Sequence, residues 1–132
     1  MNGELEKNIP NPTKAELGIL AVLWRMGAST VREVHETMSE QQTTGYTTVL
    51  KLLQIMHQKG LVTRDDSRRA HVYKPVMSKE SVQRDLTADL VTRAFEGSRS
   101  QLVLQALGDS ESATPEELAQ IRDLLSRIER RG

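Results

Sequence analysis

Cysteine is absent from this 132-residue chain. No disulfide framework, thiolate nucleophile or cysteine metal site can exist in it. Aromatic residues are few: Trp24, Tyr46, Tyr73 and Phe95. Binding of single strands by base stacking needs repeated aromatic platforms, so that mode is not expected. No apolar run approaches the roughly 20 residues of a membrane span. The opening MNGELEKNIP is polar throughout and lacks the apolar segment of a signal peptide. A cytoplasmic protein with no direct membrane insertion is the expectation. A surplus of charge is lacking too, with 18 basic and 18 acidic residues, which argues against a polybasic arm. There is no glycine-rich phosphate loop, no Ser/His/Asp grouping and no carboxylate pair with an apolar pocket. His35, His57 and His71 are dispersed among three predicted elements. No enzyme, metal site or cofactor is expected.

What is there begins with a charge segregation hidden by the neutral total. Residues 41–80 carry seven basic residues against three acids, a balance of +4, while the segments on either side are each at −2. The basic surplus begins in GYTTVLKLLQIMHQKG, residues 45–60. Val49, Leu52, Leu53 and Met56 recur there at the spacing of a core-facing helical stripe. Thr47, Lys51, Gln54 and Gln58 lie opposite, flanked by Thr48, Leu50 and Ile55. That outer face holds no acid, whereas solvated helix faces are usually laced with both charge signs. Hydroxyls and cations suit phosphates and base edges, glutamine can read adenine, and Leu50 can meet a thymine methyl.

The rest of the chain frames this helix. Residues 1–12 read as a flexible N-terminus. Thr13 and Glu16 form a capping box opening a helix to about Met26, with Leu17, Leu20, Ala21 and Trp24 on its apolar face. Thr30 and Glu33 form a second box, with Val31, Val34 and Met38 facing inward. Gly60 ends the third helix. Residues 61–64 and 70–74 then read as two strands of a hairpin, with Arg68 and Arg69 at its tip. Three helices followed by a basic hairpin is the order of a winged helix-turn-helix, over 13–77, reading double-stranded DNA. Residues 78–132 read as three further helices with too little apolar material to stand alone. Leu86, Leu90, Phe95, Leu102, Leu107, Leu118, Ile121, Leu125 and Ile128 would be buried by a second copy, so this segment is expected to be a helical dimerisation domain. The fold class is therefore mainly α with a small β-hairpin. A winged helix that docks a protein, or a ligand-sensing regulator, shares the same pattern.

The residues Thr13-Lys14-Ala15-Glu16-Leu17, Val22-Leu23-Trp24, Thr30-Val31-Arg32-Glu33-Val34, Tyr46-Thr47-Thr48-Val49-Leu50, Lys59-Gly60-Leu61-Val62 and Arg69-Ala70-His71-Val72-Tyr73 together resemble the penicillinase repressor family, the BlaI/MecI type. The resemblance runs from about Thr13 to the last helix. It implies a homodimeric winged-helix transcriptional repressor on palindromic operators, with Thr47, Thr48, Leu50 and Lys51 where the family contacts DNA and the wing around Arg68 and Arg69. It also implies induction by a membrane-bound sensor metalloprotease and cleavage within the dimerisation domain. The matching bond here is Gln105–Ala106, where the family motif carries Asn-Phe. The family's copper-responsive branch uses paired cysteines, so this chain cannot sense copper through thiolates.

Overall fold

The computed structural model of the chain describes residues 9–108 and 113–132. Most of the N-terminus read as flexible, and most of the polar loop after Gly108, lie outside the described residues. Among residues 9–12, Ile9 packs against the core. The chain falls into two compact units that divide between Thr87 and Ala88.

The first unit opens with α1, Lys14–Met26, then β1, Ser29–Thr30, and α2, Val31–Ser39. Both helices start on the expected capping boxes. The Thr13 amide donates to Glu16 Oε1 at 2.9 Å and the Glu16 amide returns to Thr13 Oγ1 at 3.2 Å. Thr30 and Glu33 repeat the exchange at the same two distances. The third helix, α3, spans Tyr46–Lys59, and a sheet follows with β2, Val62–Asp65, and β3, Val72–Pro75. A fourth helix, α4, Lys79–Ala94, begins after Ser78, whose hydroxyl accepts from the Ser81 amide at 3.0 Å.

Three sequence expectations are corrected. The sheet has three strands, in the order β1-β3-β2, with Ser29 opposite Tyr73 and Thr30 opposite Val72. A two-residue strand carries no periodicity, so only its partner reveals it. The extra strand flanks β3 on its second side, and Tyr73 is left 1% exposed. The two hairpin strands also lie slightly later than expected, so the wing loop extends to residue 71. Finally, α1 buries Ile19, Leu20, Val22 and Leu23, whereas Ala21 is exposed and Leu17 and Trp24 are half-buried. That face is set by α2, α3 and β3 gathering on one side of α1. Trp24 stays at the edge because its indole N–H donates to the Met77 carbonyl at 3.0 Å, satisfying the polar end of a largely apolar side chain.

The core joins α1 to Val34 of α2, Val49, Leu53 and Met56 of α3, Leu61 just before β2, and Val62 and Tyr73 of the sheet. Gly60, at φ +86° and ψ +12°, closes α3 in the left-handed region. The Leu61 amide donates to the Met56 carbonyl at 2.9 Å and the Gly60 amide to His57 at 3.2 Å, the paired bonds of a Schellman end. Gly60→Ala is expected to cost about 1 kcal/mol through the strained φ. It should appear as a lower urea midpoint at unchanged slope, and an unchanged midpoint would show that the turn relaxes.

The second unit holds the end of α4, then α5, Arg99–Gly108, and α6, Pro115–Arg131. Thr114 and Glu117 cap α6 with a third box, and Pro115 takes the first helical position, where a missing N–H costs nothing. In the single chain α5 and α6 bury no residue. Leu104 is 64% exposed, Ile128 51%, and Leu124 and Leu125 49% each.

Candidate nucleic-acid interface

The inner face of α3 is spent on the core, and that fixes what its outer face presents. Val49, Leu53 and Met56 are fully buried, and Leu52 packs at the core edge. The helix rotation this sets leaves Thr47, Thr48, Lys51 and Gln54 exposed and Leu50 half-buried. The first turn of α3 contains no acid. Lys51 has no ion-pair partner among the described residues.

The wing is built by local chemistry. The Ser67 amide donates to Asp65 Oδ1 at 2.9 Å. The Ser67 hydroxyl and amide hold the Asp65 carboxyl below its ordinary pKa, with help from Arg68. Arg64 Nε lies 2.7 Å from Asp66 Oδ1, and His71 Nδ1 lies 3.5 Å from the same oxygen. Asp66 and then Tyr73 raise the Arg64 pKa further above its ordinary value, so Arg64 is spent on bracing the hairpin. Arg68 and Arg69 are left exposed in the loop. They carry the wing's outward positive charge.

A groove of about 770 Å³ runs between α3, the start of α2 and the wing. Leu50, Gln54 and Arg69 of the expected site line it together with Arg32, Tyr46 and His71. Thr47, Thr48, Lys51 and Arg68 do not line it; the first three stand on the exposed side of α3 and Arg68 in the wing loop. Arg32, Tyr46 and His71 are not among the site residues expected from the sequence. For Arg32 a signal existed. It is the second residue of α2, where the helix dipole disfavours a cation, and no carboxylate pairs with it among the described residues. Arg32 is exposed at that position. Tyr46 and His71 had no comparable signal, because only the folded wing brings them to the groove.

Glu16 does more than cap α1. Its carboxylate is 1% exposed and accepts from Lys59 Nζ at 2.8 Å, tying the first turn of α1 to the last turn of α3. Burial pushes its pKa up. The Lys59 ammonium and the Thr13 amide and hydroxyl outweigh that and hold it below the ordinary carboxylate value.

The expected dimerisation residues divide between the units. Leu86 belongs to the first and lines a shallow cleft with Leu17, Ala21 and Trp24. Leu90, Phe95, Leu102, Leu107, Leu118, Ile121, Leu125 and Ile128 belong to the second, each half-buried or exposed in the single chain. Gln105 and Ala106 are exposed on α5. Among the described residues no helix is long and apolar enough to cross a membrane.

The family described as penicillinase repressor matches residues 12–127. Over 90 residues the chain is 34% identical to the transcriptional regulator BlaI of two Mycobacterium tuberculosis strains, a match covering 67% of this chain. It spans 65% of those relatives' length, a little under two thirds. Over 119 residues it is 24% identical to the penicillinase repressor of Bacillus licheniformis, covering 90% of this chain and 92% of that one. Among solved structures, the YusO protein of Bacillus subtilis aligns with 97% of this chain and 80% of its own at a TM-score of 0.51 and 21% identity, a likeness of fold.

Proposed function

The chain belongs to the penicillinase repressor family, and from that premise we propose that it is a sequence-specific DNA-binding transcriptional repressor. The observation that carries the reading is the acid-free outer face of α3 beside a wing whose arginines point outward. In this reading α3 enters the major groove through Thr47, Thr48, Leu50, Lys51 and Gln54, and Arg68 and Arg69 follow the backbone. Residues 13–77 form the DNA-binding part and 78–132 the dimerisation part. The exposed leucines of α5 and α6 support a homodimer, because apolar patches of that kind mark association surfaces. A two-fold dimer would match a palindromic operator. Relief of repression by cleavage at Gln105–Ala106, through a membrane-bound sensor metalloprotease, completes the reading. The bond lies within α5, so a protease must first melt that helix locally.

The test is fluorescence anisotropy on a duplex selected from a random library and on a scrambled duplex, at two salt concentrations. Tight, steeply salt-dependent binding to the selected duplex, orders of magnitude above the scramble, supports the reading. Equal weak binding to both overturns it. Lys51→Ala is expected to weaken both duplexes alike and to make the salt slope shallower by about 1, the signature of one lost phosphate contact. A loss confined to the selected duplex would instead make Lys51 a base reader.

A further inference from the structure

Three helices, α1, α2 and α6, open on a Thr/Glu capping box, but α3 does not. Its N-cap is Gly45, with no side-chain hydrogen bond to the first turn. The box would place its glutamate at the third helical position, which in α3 is Thr48, on the outward face. A carboxylate there would stand against phosphates. The first turn of α3 is held from outside instead. His35 of α2 places Nε2 2.8 Å from the Thr44 carbonyl oxygen. A carbonyl can only accept, so Nε2 carries the proton. The Ser39 hydroxyl lies 3.3 Å from the same nitrogen. The imidazole also meets the ring of Tyr46, the first residue of α3, edge-on at 5.8 Å and 80°. One side chain thus fixes the carbonyl just before the N-cap and the ring just after it.

We propose that His35 is a positioning residue for DNA recognition, fixing the entry of the chain into the uncapped α3 by donating to the Thr44 carbonyl and bracing Tyr46. The proposal rests on reading α3 as the DNA-binding helix. It explains how the recognition helix can start without a carboxylate and still present Thr47, Thr48 and Lys51 in one register.

The test has one arm without DNA and one with it. In the free wild type at a pH where imidazole is neutral, nitrogen NMR should show His35 protonated on Nε2; protonation on Nδ1 overturns the proposal. His35→Phe keeps a ring and removes the donor, while His35→Gln keeps a donor near the Nε2 position. Hydrogen exchange at the Val49 amide, the first of α3 to find a helical partner, donating to the Gly45 carbonyl at 3.2 Å, should quicken in His35→Phe and stay slow in His35→Gln; unchanged exchange in both overturns the proposal. On the selected duplex His35→Phe should lose about tenfold in affinity, with His35→Gln near wild type. On the scrambled duplex, where the phosphate contacts dominate, both should bind as the wild type does. An equal loss on both duplexes together with a lower melting temperature would make His35 merely structural and overturns the proposal. If the free-protein arm behaves as expected and no variant or wild type binds any duplex, the DNA reading fails and the role in recognition fails with it, while the latch on the first turn of α3 stands.

Discussion

Leu125→Asp is expected to leave the protein monomeric and to reduce its affinity for a two-half-site operator by about a hundredfold or more. Leu125 sits on α6 with Leu118, Ile121 and Ile128 at near-heptad spacing, and no residue of α5 or α6 is buried in the single chain. In the proposed dimer those side chains gain a dry environment from the second copy. In a two-fold interface the substitution enters twice, and each carboxylate is desolvated without a partner, a heavy penalty for a buried charge. The loss on DNA is large because each half-site contact is weak alone, and the dimer makes the second contact intramolecular. Sedimentation velocity at micromolar concentration reads the first effect and anisotropy the second. A wild-type chain that sediments as a monomer would remove the dimer from the proposed function. A Leu125→Asp chain that still sediments as a dimer would move the interface elsewhere.

Lys59→Met should destabilise the first unit by about 3 kcal/mol near neutral pH, the lower end for breaking a buried pair, because Lys59 keeps 32% of its side-chain surface in water. Against a total stability of roughly 5–15 kcal/mol this is a large fraction. The pH dependence identifies the cause. In the wild type the folded Glu16 pKa is depressed. Its contribution is present above the unfolded value and is lost as pH falls through the depressed folded value. Without Lys59, burial is opposed only by the Thr13 amide and hydroxyl, so the folded pKa is higher than in the wild type. The carboxyl then protonates in the fold at a higher pH than in the wild type, and the penalty fades as pH drops through that higher value. The stability gap between wild type and Lys59→Met should therefore narrow on acidification from pH 7 towards 4, measured by urea unfolding. A gap that stays constant would assign the loss to the methylene packing of Lys59 rather than to its charge. Glu16→Gln combined with Lys59→Met should recover part of the loss at neutral pH, since no buried charge is left.

Local chemistry was legible in the sequence alone. The Thr13, Thr30 and Thr114 boxes each satisfy orphaned amides within one turn, and Gly60 stops α3 without outside help. So the helix starts and stops could be read from neighbours in the chain. The outward face of α3 was legible for a related reason. Once Val49, Leu53 and Met56 claim the core, helical geometry dictates where Thr47, Thr48 and Lys51 stand. Tertiary structure alone decided whatever depends on residues far apart in sequence. Strand β1 exists only because β3 lies beside it. Glu16 meets Lys59 across 43 residues, turning a capping carboxylate into a buried ion pair. Trp24 looked like core on periodicity but stops at the edge, held by the Met77 carbonyl. Arg32, Tyr46 and His71 join Gln54 and Arg69 only when the wing folds beside α2 and α3. Periodicity reports which face of an element is apolar. It carries no record of which neighbour that face meets, and the groove beside α3 is made of such meetings.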